Sequence, residues 1–135
     1  MATFRYSATS ASIIMARRQK ATQGHVNGYQ LLFLKRSENL YAGGNYAFPG
    51  GKVESQDYRE TWLAQAPNMF ELDQRFGLYH DFNKRMAVIR ETFEECNLLA
   101  AKSINETGQK ATLAKFEGEF KENFSGFCKA YGVIP

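Results

Sequence analysis

Residues 81 to 97, DFNKRMAVIRETFEECN, constrain the fold of this chain more than any other stretch. Good helix formers run through it without Pro or Gly. Asp81 stands as an N-cap candidate, and Asn97, which tolerates the left-handed conformation, as a C-cap. At roughly 100° per residue, Met86, Ile89, Phe93 and Cys96 gather on one face. Glu91, flanked by Glu94 and Glu95, falls on the opposite one, together with Lys84 and Ala87. The first stripe has to be covered by a core. The second crowds three carboxylates into about one helical turn, where like charges repel by a few tenths of a kcal/mol per exposed pair.

The remaining segments supply what that helix can pack on. The runs ASIIMAR (11 to 17) and GYQLLFLKR (28 to 36) are apolar and rich in strand formers. They read as two strands joined by a polar loop ending in the Asn27-Gly28 turn. LYAGGNYAFPGG (40 to 51) reads as a glycine-punctuated loop around a short strand at 46 to 48. A short helix is expected near 58 to 65. A second long helix is expected from about 110 to 130, because Leu113, Phe116, Phe120, Phe124, Phe127 and Tyr131 step by three or four throughout. A chain of 135 residues is long enough for a single domain, residues 1–135, with a core of ordinary size.

Composition excludes several classes. At 44% hydrophobic and 23% charged the chain is neither disordered nor fibrous. No apolar run approaches the ~20 residues of a membrane span. Two cysteines, Cys96 and Cys128, with no secretory leader, argue for a reducing compartment and buried thiols rather than a disulfide framework. The sequons at Asn105 and Asn123 then read as coincidence. The net charge of +3 hides an asymmetry: Arg5, Arg17, Arg18, Lys20, Lys35 and Arg36 precede the first acid, Glu38. A basic front of this kind suits a polyphosphate ligand, nucleic acid or a targeting machinery, or simply solvated strand ends. Residues 1 to 18 have the Ser, Thr, Ala and Arg content of a transit peptide, while SASIIMAR also reads as a core strand.

The chemistry sits in two segments. Three clustered glutamates suit a divalent cation, since Mg²⁺ prefers hard oxygen ligands and is shared between carboxylates and substrate phosphates. A solvated acidic face with Arg90 paired to Glu94 at i,i+4 is the plainer alternative. The second segment is Phe48-Pro49-Gly50-Gly51, in which glycine lets the backbone adopt positive φ and approach a ligand closely.

Together the segments resemble the Nudix box. Gly51 matches its glycine, Asp57 stands where the first Glu belongs, and Arg90, Glu91, Glu94, Glu95 and Leu98 match its second half. Thirty-two residues, 58 to 89, occupy a gap of seven in the pattern, an insertion at about 58–82. Thr92 and Asn97 take the usual aliphatic and glycine positions. Asp57, shorter than Glu, is expected to weaken its contact. A box split in this way is similar to acyl-CoA diphosphatases of the nudix-motif-19 type, and the order of segments agrees over most of the chain.

That resemblance implies an α/β/α sandwich with a mixed sheet, incomplete at its C-terminal end, because the residues after the insertion are too few for the later strands and helix. It implies a hydrolase that cuts the pyrophosphate of a nucleoside diphosphate linked to another group, CoA or acyl-CoA first. Glu91, Glu94 and Glu95 would hold Mg²⁺ or Mn²⁺, with Arg90 orienting them. Gly50 and Gly51 would line the phosphate site, and Lys35 and Arg36 would meet anionic groups of the substrate. The partner is a small-molecule nucleotide, with no stable nucleic-acid or membrane partner. The compartment is the peroxisome or mitochondrion, with the cytosol open. Alternatives are a diphosphatase for ADP-ribose or NADH, or a non-catalytic nucleotide- or RNA-binding module.

Overall fold

The computed structural model describes residues 9–19, 28–39, 43–63, 81–103 and 111–135. It is α/β, with small strand pairs and short helices. Most of the expected insertion, residues 64–80, and the sequon at Asn105 lie outside the described residues. Two compact units are present: Ser12–Pro49, and Met1–Ala11 together with Gly50–Pro135. Among the described residues no helix is long and apolar enough to cross a membrane.

In the Ser12–Pro49 unit, Ala16–Arg18 (β2) pairs antiparallel with Tyr29–Leu31 (β3), aligning Arg17 with Gln30. Leu34–Lys35 (β4) pairs antiparallel with Tyr46–Ala47 (β5), and the Phe33 and Phe48 rings stack at 4.5 Å. Each long strand expected from the sequence is thus two short ones. Its residues are not a core either: Ile14, Tyr29, Leu31, Phe33 and Tyr46 are exposed. A two-stranded ribbon offers no second layer to bury both faces of such a run.

In the larger unit, Ser10–Ser12 (β1) pairs with Gly50–Lys52 (β6), and the Val53 amide donates to the Thr9 carbonyl at 2.8 Å. A 3-10 turn at Ser55–Asp57 leads into Arg59–Trp62 (α1), where the short helix was expected. The anticipated amphipathic helix is Phe82–Cys96 (α2). Asn97 closes it in the left-handed region, at φ 55°, with its amide donating to the Phe93 carbonyl at 2.8 Å. Asp81 makes no side-chain cap; it pairs with Lys84 at 2.9 Å. Lys102–Ser103 (β7) pairs antiparallel with Val133–Ile134 (β8).

The expected helix at 110–130 is two helices, Leu113–Glu119 (α3) and Phe124–Ala130 (α4). The chain breaks at Glu122, whose φ of 64° no α-helix accommodates. Asn123 restarts the helix by accepting from the Gly126 amide at 3.0 Å. The aromatic stripe nevertheless does what its spacing implied. Phe116, Phe124, Phe127 and Tyr131 bury with Trp62, Phe82, Met86, Phe93 and Cys128, and Phe120 packs on their edge. Phe127 meets Phe93 and Phe116 at 5.4 Å and Tyr131 at 4.8 Å, in tilted and edge-on geometries. Such pairs contribute about 0.5–1.5 kcal/mol each beyond burial. This core is what fixes one face of α2. Burial also pushes the Cys128 thiol well above the ordinary range, so it is inert; both cysteines are free.

Candidate active site

The candidate face of α2 is defined by what packs on its other side. Met86 and Phe93 are buried in the core, which turns Arg90, Glu91 and Glu94 toward the β6 loop. Ala87 on that same side is fully buried. The opposite face is therefore covered in part, not the open acidic surface of the plainer alternative.

Gly50 and Gly51 make that approach possible. Gly50 sits at φ 146°, a conformation open to glycine and strained for other residues. Its amide donates to Glu95 Oε2 at 3.1 Å. A Cβ on Gly51 would run into the Glu91 carboxylate. The glycine turn and the acidic helix, separated by about forty residues of sequence, are thus in direct contact.

Arg90 organises the cluster. It is 1% exposed and its neighbour Asp57 is 0% exposed. The guanidinium donates from Nε to Asp57 Oδ1 and from Nη2 to Asp57 Oδ2, both at 2.9 Å, a fork-on-fork pair. Nη2 also donates to the Lys52 carbonyl at 3.1 Å, tying α2 to the end of β6. Nη1 donates to Glu94 Oε1 at 3.1 Å, and Nη2 stands 3.1 Å from Glu91 Oε1. Glu54 lies farther off, at 3.8 Å. Asp57 Oδ2 accepts in addition from the Glu54 amide at 2.8 Å, which locks the loop after β6. Asp57 therefore makes a strong contact, contrary to the expectation that its short side chain would weaken it. The 3-10 turn carries Asp57 close enough to compensate for the missing methylene.

The electrostatics follow. Burial works against charge on Arg90, but the hydrogen bonds and charge of Asp57 outweigh it and hold its pKa above the usual value. Desolvation raises the pKa of Glu91 and of Glu94 above 4.5, and Arg90 offsets this only in part. The two carboxylates share the guanidinium of Arg90 with Asp57. A cavity of about 690 Å³ opens beside them, lined on this side by Glu54, Ser55, Gln56, Arg90, Glu91 and Glu94.

As placed, Glu91 and Glu94 face Arg90 and Glu95 faces the Gly50 amide. Among the described residues no three His, Cys, Asp or Glu side chains stand close enough to hold a metal together. Lys35 and Arg36 belong to the Ser12–Pro49 unit, where both are exposed and Lys35 lies 3.6 Å from Glu38. Sequence reasoning missed Gln56, a buried side chain that donates to Glu54 Oε2 at 3.0 Å and accepts from the Phe124 amide at 2.9 Å. A Gln in a polar loop gives no periodic signal by which to find it.

The chain matches the acyl-coenzyme A diphosphatase NUDT19 of Xenopus laevis at 28% identity over 152 aligned positions, covering 84% of this chain and 40% of that protein. The chain thus spans about 40% of the length of the curated relative it matches. No family model matches the chain, and no solved structure does.

Proposed function

We propose that this chain forms the metal-binding part of a Nudix-type α/β/α hydrolase. It cleaves the pyrophosphate bond of a nucleoside diphosphate linked to another moiety, with CoA or acyl-CoA as the first substrate class. The observation that carries this is the contact of the Gly50-Gly51 turn with Glu91 and Glu95. It brings backbone that can approach a phosphate against two carboxylates of α2. The likeness to an acyl-coenzyme A diphosphatase points the same way.

Mg²⁺ or Mn²⁺ fits the donor set: three glutamates with hard oxygens, two of them desolvated enough for their pKa values to rise. Glu94 and Glu95 would be the main ligands and Glu91 the third, once their side chains converge. An ion held there would supply neutralisation of charge on the phosphate oxygens and a lowered pKa for the attacking water. Arg90, itself fixed by Asp57, orients Glu91 and Glu94. Gly50 and Gly51 leave room for the pyrophosphate.

The test is cleavage of CoA, acyl-CoA, ADP-ribose and NADH in Mg²⁺, followed by mass of the products. Two phosphate monoesters are expected, with turnover lost in Glu94→Gln and in Glu95→Gln while the fold is retained. Undiminished turnover in both variants would end the proposal. A second reading, a non-catalytic nucleotide-binding module, draws on the pairing of Glu91 and Glu94 with Arg90. Nucleotide binding unaffected by EDTA, with no product, selects it.

A further inference from the structure

The cavity is also lined by Phe116, Glu117, Lys121 and Glu122, from α3 and the break that follows it. The local sequence does not explain that break. The stripe from Leu113 to Tyr131 keeps helical spacing across it, and residues 119 to 123 contain neither Pro nor Gly. The backbone instead takes a left-handed turn at Glu122, at φ 64°. Non-glycine residues adopt that conformation where surrounding structure enforces it.

The turn is held from several directions. The Asn123 amide donates to the Phe120 carbonyl at 2.7 Å, and Asn123 Oδ1 accepts from the Gly126 amide. Phe124 is wholly buried, and its amide is held by Gln56, whose other amide end donates to Glu54. The part of the lining that carries Lys121 is therefore tied through one side chain to the part that carries the carboxylates.

Among the described residues that line the cavity only Arg90 and Lys121 are cations, and Arg90 is committed to Asp57. Lys121 is exposed and makes no ion pair among the described residues. We infer that Lys121 is a specificity-determining residue that pairs with a peripheral phosphate of the substrate, within the cavity that the carboxylates also line. The pyrophosphate is matched to the carboxylates; a flexible ammonium elsewhere in the lining suits a second phosphate as a point charge. The assignment rests on the diphosphatase reading and narrows its substrate class to diphosphates that carry an additional phosphate monoester.

CoA and dephospho-CoA, which differ by one such phosphate, are the probes. Steady-state kinetics in Mg²⁺ would be compared for the unaltered chain, Lys121→Ala and Lys121→Arg. Lys121→Ala is expected to raise KM for CoA about fivefold to tenfold, as loss of one charge-assisted hydrogen bond does. Its kcat, and its KM for dephospho-CoA, should stay within about twofold, and Lys121→Arg should restore most of the loss. An equal effect on both probes, or none, overturns the inference while leaving the diphosphatase intact. If the unaltered chain cleaves neither probe, the diphosphatase reading fails. Calorimetric affinities for the same two probes then decide the role of Lys121 by the same pattern: preference for CoA lost in Lys121→Ala supports it, and no preference overturns it.

Discussion

Asp57→Asn tests the organisation of the site most sharply. The substitution keeps size and shape but removes the negative charge facing a guanidinium in a place closed to water. Removing one partner of a buried ion pair costs about 3–5 kcal/mol. Arg90 would keep Glu94, Glu91 and the Lys52 carbonyl, all near 3.1 Å, and Asn can still accept from the Glu54 amide. The loss should therefore fall at the low end, about 3 kcal/mol. With a urea dependence of about 2 kcal/mol per molar, the unfolding midpoint drops by about 1.5 M at unchanged slope. Trp62 is the single tryptophan, is 1% exposed, and donates to the carbonyl of Gln56 next to Asp57. Its fluorescence therefore follows the unit in question. A midpoint shift under about 0.3 M would refute the view that the Arg90–Asp57 pair holds this unit together.

Three further outcomes are expected. Glu91 and Glu94 have folded pKa values above 4.5, so they favour the folded state when protonated and cease to do so as pH rises through those values. Glu91→Gln should accordingly raise the melting temperature at pH 7 relative to the unaltered chain, and the difference should shrink below pH 4.5; a difference that grows on acidification contradicts the desolvation. Gly51→Ala should displace only the mobile carboxylate end of Glu91. Its melting temperature should change little while turnover falls by about tenfold or more, as misplacement of a catalytic group does. Gly118 lies exposed inside α3 with open space around its Cβ position. Gly118→Ala should stabilise by about 0.5–1 kcal/mol, read as a higher urea midpoint.

How far the sequence reached depends on which interactions are local. The α2 helix, its Asn97 cap and its Met86–Phe93 stripe follow from short-range spacing and were legible. So was the Phe-rich stripe, because burial of one face depends on period alone. Its interruption at Glu122 was not, since none of the residues there forbids a helix and the turn is enforced from outside by Gln56 and the core. The extended runs at 11–17 and 28–36 were legible as strands but not as surface, because apolar content says nothing of whether a second layer exists. At the site, Arg90 with Glu94 is an i,i+4 pair that any helical wheel reveals. Arg90 with Asp57 spans 33 residues, and only resemblance to a known pattern drew attention to Asp57; its burial and two-pronged contact needed the fold.

The central claim is that the acidic face of α2 takes up a divalent ion beside the Gly50-Gly51 turn. Titration with Mn²⁺, read by the loss of the free-ion electron paramagnetic resonance signal, tests it most directly. The unaltered chain should bind Mn²⁺, Mg²⁺ should displace it, and Glu94→Gln with Glu95→Gln should abolish the binding while Trp62 fluorescence reports an intact fold. Equal Mn²⁺ uptake by the double variant, or none by the unaltered chain, would contradict it.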